Sequence, residues 1–177
     1  MSATLLSDLS TGTTVKASSV LQKNGKLYGP KNALQLDNES SCWNSDAGET
    51  QHYTLDFHRV VTVQELKLQF QAGFSAETCR VLAHVDKSNN SSSISSSSSS
   101  SSTNGEWMEL GELETPDSLE LQSFVLEDTA ETSKIRLVFE GCTDFYGRVT
   151  LYQIQVWGLD DDGRIEERRP RNNAEKA

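Results

Sequence analysis

The stretch GCTDFYGRVTLYQIQVWG, residues 141–158, decides the fold. From Arg148 onward it reads as a β-strand, but its apolar side chains change phase. Val149 and Leu151 fall on one face, and Ile154 and Val156 on the other. A regular strand alternates with period two and cannot do this. One extra residue near Tyr152 would, because a β-bulge re-aims every side chain beyond it. The run VVTVQELKLQF, residues 60–70, slips in the same way, from Val61 and Val63 to Leu66 and Leu68. Long strands that bend and change phase suit a sandwich whose strands run around its edges. The alternative is that each run is two short strands.

Shorter alternating runs fill the rest of the chain. HYTLDF places Tyr53, Leu55 and Phe57 on one face. ETCRVLAHVD places Cys79, Val81, Ala83 and Val85 together, and EWMELGEL follows with Met108 and Leu110. SLELQSFVL offers Leu119 and Leu121, then Phe124 and Leu126, and SKIRLVF offers Ile135, Leu137 and Phe139. With KASSVLQ early and the final run late, about eight strands are expected, separated by turn-rich segments. No helical period is sustained. The pattern predicts an all-β, eight-stranded antiparallel jelly-roll sandwich.

Two segments stand apart in composition. SNNSSSISSSSSSSSTNG, residues 88–105, is a low-complexity serine-rich stretch with nothing to bury, and a disordered loop is expected. It separates two alternating runs, so it joins strands of one domain; loop closure costs only about 0.6 kcal/mol more per doubling of length. The charged tail, residues 159–177, is expected to be disordered as well. Residues 1–14 read as a flexible N-terminal segment, leaving one domain over residues 15–158.

The chain has 177 residues, with 26 acidic against 16 basic side chains and a formal net charge of -10. Such a chain repels phosphate backbones and anionic membrane surfaces, so neither direct nucleic-acid contact nor membrane binding is expected. MSATLLSDLS lacks a basic n-region and is interrupted by Asp8, so it does not read as a signal peptide. Cys42, Cys79 and Cys142 are an odd count without paired spacing, which reads as reduced thiols in a protein that is not secreted. A monomer is expected.

No catalytic motif survives inspection, neither a glycine-rich phosphate loop nor a GxSxG elbow. DDDG at Asp160 fails as a calcium loop at both of its end positions. His52 and His84 fall on polar strand faces and His58 follows a strand end, with no zinc-site spacing to a cysteine. Three loop motifs remain. In LDNESSCWNSD, Trp43 is either a plug packed on the core or a platform for a ligand. In FQAGF, Gly73 permits a tight bend from which Phe74 projects or tucks back. In TDFYGR, Asp144 can bond the turn backbone and Gly147 supplies a turn conformation. Arg148 then either pairs with Asp144 or serves a ligand. The patch expected from these motifs is Phe74, Asp144, Phe145, Tyr146 and Arg148, with the loop of Trp43 as neighbour.

ASSVL, LDNESSCWNSD, YTLDF and the closing VWG resemble the discoidin, or galactose-binding-like, domain. SSVL, CWNSD, LQFQAGF and TDFYGRVTLYQIQVWG resemble more narrowly the small nuclear receptor subfamily 2 group C associated protein family, from about Lys16 to Gly158. The resemblance implies a non-enzymatic nuclear or nucleocytoplasmic adaptor. Its partner would be a nuclear receptor, and it would act as a transcription corepressor by weakening receptor–DNA contact. The broader fold implies a second function, a carbohydrate-binding module with Trp43 or Phe145 under the sugar and Asp144 and Arg148 on its hydroxyls. A structural calcium around Asp37 and Asn38 belongs to that second reading; the first needs no cofactor.

Overall fold

The computed structural model describes residues 2–38, 40–85 and 105–160. Most of the serine-rich insert and the tail from residue 161 lie outside them. The sandwich is organised by one strand, β4, which runs for 20 residues over Gln51–Phe70. HYTLDF and the following apolar run are therefore one strand and not two. His58 marks its corner rather than a strand end. It holds a left-handed φ of 54°, and its N–H donates to Asp56 Oδ1 at 3.0 Å.

This corner lets β4 serve two layers. Its first half pairs with β2 (Thr14–Ala17) and with β8 (Glu131–Cys142). Its second half pairs with β7 (Gln122–Val125) and β9 (Thr150–Asp160). The first layer continues from β8 to β5 (Ala76–Val85) and then β6 (Glu106–Glu114). In the second layer β9 also pairs with the two-residue strands β1 (Thr4–Leu5) and β3 (Trp43–Asn44). All these pairings are antiparallel. The described residues thus form nine strands where about eight were expected: two expected strands merge, and two very short ones had no alternation to reveal them.

Both phase slips are bulges, and both lie in the ladder between β4 and β9. Gln69 pairs with Gln153 and Phe70 with Leu151, so Tyr152 is the extra residue. Val63 pairs with Gly158 and Glu65 with Trp157, so Gln64 is the other. The consequence is packing. Val149, Leu151, Ile154 and Val156 are all fully buried, as are Val61, Val63, Leu66 and Leu68. The bulges bring both halves of each run onto one core. A third bulge, at Leu110, turns that residue inward and leaves Met108 facing solvent, contrary to the alternation read from EWMELGEL. Leu119 and Leu121 are also exposed, because β7 starts only at Gln122.

The domain boundaries shift outward at both ends. Leu6 is wholly buried and its N–H donates to the Val156 carbonyl at 2.7 Å, so the N-terminal segment belongs to the sandwich from residue 4. β9 continues to Asp160, whose carboxylate bonds Arg59 Nε at 2.7 Å. Val85 and Glu106, on either side of the insert, are cross-strand partners. Cys42, Cys79 and Cys142 are free thiols.

Candidate interaction surface

TDFYGR closes the end of the sandwich just before β9, and Asp144 builds it. Asp144 Oδ2 accepts the backbone N–H groups of Tyr146 and Arg148, each at 3.1 Å. The same oxygen accepts Arg148 Nε at 3.0 Å, and Oδ1 accepts Arg148 Nη2 at 3.1 Å. The fork of a guanidinium matches a carboxylate two-pronged, so this pair is directional as well as charged. The Arg148 side-chain bonds hold the Asp144 carboxyl below the usual carboxylate range, against a smaller opposing effect of burial; backbone N–H bonds add to the lowering.

Gly147 completes the turn with φ at +74°, and a β-carbon there would run into the carbonyl of Gly48. Gly48 in turn donates its N–H to the Tyr146 carbonyl at 3.0 Å. Beneath them the buried Gln51 ties three loops together. Its amide donates to the carbonyls of Asp46 at 2.8 Å and Gly147 at 3.2 Å, and its oxygen accepts the hydroxyls of Ser18 and Ser19 at 2.6 and 2.9 Å. The turn is thus locked from both sides, while its two aromatic rings are left outside.

Phe74 reaches the same place from the other long strand. Gly73 bends the chain with φ at +83°. Asp117 Oδ1 holds the bend by accepting Gly73 N–H at 2.9 Å and the Ser75 hydroxyl at 2.8 Å. The Phe74 carbonyl takes the N–H of Thr150 at 2.9 Å, which fixes the bend to β9. Arg148 then joins the two motifs. Its guanidinium lies 5.3 Å from the Phe74 ring centre and 5.5 Å from that of Tyr146, within cation–π range. Phe145 and Tyr146 meet edge to face at 5.2 Å. Phe145 is 93% exposed and Tyr146 63% exposed, while Phe74 is half-buried.

The structure therefore brings Phe74, Asp144, Phe145, Tyr146 and Arg148 into one patch. Trp43 is not part of it. The indole is fully buried, packed edge to face on Tyr53 at 5.3 Å and against Phe139 at 6.1 Å. Its Nε1 donates to the Ser19 carbonyl at 3.0 Å. A ring that already has apolar neighbours and a satisfied N–H is a core plug and has no face left for a ligand. Asp37 and Asn38 sit on an exposed turn in which Asn38 Oδ1 accepts the Ser40 N–H at 3.2 Å. Among the described residues no group of three or more His, Cys, Asp or Glu gathers as a metal site would require. Among them, too, no helix is long and apolar enough to cross a membrane.

Two supporting residues escaped the reading of the motifs. Gln51 had a signal: it shares its face with Tyr53, Leu55 and Phe57, and a polar side chain in that row must find internal partners. Asp117 had none, because its contact with Gly73 spans 44 residues of chain.

No family model matches the chain. It is 35% identical over 146 residues to the nuclear receptor 2C2-associated protein of Danio rerio, covering 82% of this chain and 91% of that one. The Homo sapiens protein of the same name is 32% identical over 146 residues, with the same coverage. Among solved structures, the F5/8 type C domain of a Bacteroides fragilis protein superposes with a TM-score of 0.65 at 15% identity, covering 90% of this chain and 97% of that one. A family 32 carbohydrate-binding module from C. perfringens, in complex with galactose, gives 0.64 at 12% identity, covering 88% and 98%. These likenesses assign the discoidin, galactose-binding-like fold.

Proposed function

From the premise that the chain belongs to the nuclear receptor 2C2-associated protein family, we propose that it is a non-enzymatic interaction module that binds a nuclear receptor through its Phe145–Tyr146 turn. The observation that carries this reading is the exposure of Phe145 on a turn that cannot relax. An isolated surface aromatic is ordinary, but two rings and an arginine held rigid at one end of a domain are what interface centres contain. Because Asp144, Gly147 and Gln51 fix the backbone, little conformational entropy remains to be lost on binding.

In this reading the protein is a monomeric adaptor of the nucleus or cytoplasm that represses its receptor by loosening the receptor's hold on DNA. The net charge of -10 supports that mode. An acidic protein competes with DNA by covering a basic receptor surface, and it does so without touching nucleic acid itself. Titrating the purified protein into a complex of a 2C2-type nuclear receptor with its DNA element tests this. The DNA-bound fraction should fall as the protein is added. A receptor that stays on DNA while binding the protein would remove the repression mechanism, and no binding at all would remove the partner.

Carbohydrate binding is the second reading, supported by the kinship in fold with sugar-binding modules and by the open ring of Phe145. It is the weaker of the two on chemistry. Asp144 and Arg148, the polar groups that would orient a sugar, already bond to each other. A thermal-shift screen with galactose, chitosan oligomers and calcium separates the readings, since the first predicts no shift with any of them.

A further inference from the structure

We propose that the outer face of the β2–β4–β8–β5–β6 layer is a second binding surface, a cationic groove that takes an acidic peptide segment of a protein partner. The groove has a volume of about 810 Å³ and lies on side chains from all five strands. Its only acidic lining residue among those described is Asp56, against Lys16, Lys134 and Arg136. That excess of positive charge stands on a chain whose formal net charge is -10. Asp56 is also spent. It bonds Lys134 Nζ at 2.9 Å and approaches His58 Nδ1 at 3.5 Å.

Two of the cations keep their charge available. Arg136 donates through Nε to the Thr54 hydroxyl at 3.1 Å, and its guanidinium lies 4.4 Å from the Trp107 ring centre. The indole packs on the guanidinium, whose terminal amino groups have no carboxylate partner among the described residues. Lys16 is exposed and likewise has no ion-pair partner among them. Lys16 pairs in register with Thr54 and Thr54 with Arg136, so the backbones that carry the two cations stand two strand spacings apart, roughly 10 Å.

That spacing selects the ligand. A single phosphate meets both cations only if both long side chains converge on it, and no glycine-rich turn or helix end lines the groove to cradle one. An extended chain can meet both, since its same-face side chains recur every two residues, roughly 7 Å, and the long lysine and arginine side chains span the difference. A duplex or single-stranded nucleic acid would carry its charge into the field of a strongly acidic protein. Peptide carboxylates bring less charge and fit the rows of donors. His52, His58 and His84 all line this groove, with the His84 ring 5.2 Å from that of Trp107. The three histidines, unconnected in sequence, share one face.

The histidines also provide the readout. A twelve-residue peptide of alternating Glu and Ser is titrated into the full chain, and imidazole and Trp107 indole resonances are followed by NMR. The proposal expects saturable shifts at these rings, none at Phe145, and affinity at least fivefold weaker for Lys16→Glu. Lys16 is exposed, so that variant should keep native amide dispersion; Arg136→Gln provides the second test. A Gln-for-Glu version of the peptide should leave the spectra unchanged. The proposal is overturned if the rings do not move at millimolar peptide, or if Lys16→Glu and Arg136→Gln both bind as the parent does. Equal shifts from inorganic phosphate or from a single-stranded oligonucleotide would also overturn it, by assigning a different ligand.

Discussion

Asp144 and Arg148 form a two-pronged ion pair, 3.0 and 3.1 Å across, and the same aspartate holds the backbone N–H groups on which the exposed Phe145–Tyr146 pair is mounted. The pair orients the turn, so its chemistry predicts when the surface is present. The Asp144 carboxyl is depressed in the folded protein. Its contribution is therefore complete above the unfolded value of about 3.9 and is lost as pH falls through the lower folded value. Receptor affinity and the amide shifts of residues 144–148 should hold steady between about pH 8 and about pH 5 as far as this group is concerned. They should change only in strong acid, below about pH 4. A transition of the turn near neutral pH, followed by NMR, would contradict this assignment.

Gly147 is predicted to be intolerant of any side chain. It combines a left-handed φ with close approach to the Gly48 carbonyl. Gly147→Ala should lower unfolding stability by about 1–3 kcal/mol and weaken receptor binding, because the turn must move to admit a methyl group. Denaturant unfolding alongside a binding titration checks both. A variant with parental values in both would show that the turn is not rigid.

Trp43 is predicted to act on stability and not on recognition. Its buried ring fills the space between Tyr53 and Phe139, so Trp43→Ala should cost about 3–5 kcal/mol in chemical denaturation. At a temperature where the variant remains folded, its receptor affinity should match the parent. Retained stability with lost binding would return Trp43 to the interaction surface.

How much of this was legible in the sequence follows from where the information lies. The two bulges of the β4–β9 ladder could be read because the slip at Tyr152 and that at Gln64 each reverse an otherwise clean alternation. The corner at His58 could not, since a left-handed φ on a non-glycine residue leaves no compositional mark. The gathering of FQAGF and TDFYGR was expected from the composition of the two motifs and the jelly-roll pattern, but the cation–π contacts of Arg148 depend on the bend at Gly73. The cationic groove was hidden for another reason. Its side chains come from five strands, and pairing register is a property of the fold.

The serine-rich insert is predicted to be dispensable for folding. Val85 and Glu106 are already cross-strand partners, so any short turn can close the hairpin between β5 and β6. Replacing residues 88–104 by Asn-Gly should leave the midpoint of thermal unfolding within about 4 °C, the change that roughly 1 kcal/mol gives a domain of this size. A larger fall would make the insert a structural element.

The central claim is that the Phe145–Tyr146 end of the sandwich is where the receptor binds. The most direct measurement is the Kd of the receptor for Phe145→Ser, beside Val125→Ser as control. Val125 is 76% exposed on β7, and Phe145 is 93% exposed on the turn, so neither substitution removes a core contact. The account predicts at least a tenfold rise in Kd for Phe145→Ser, with native circular dichroism, and no change for Val125→Ser, since truncating an aromatic at an interface centre costs upwards of about 1–2 kcal/mol. Parental affinity in a folded Phe145→Ser variant would contradict it.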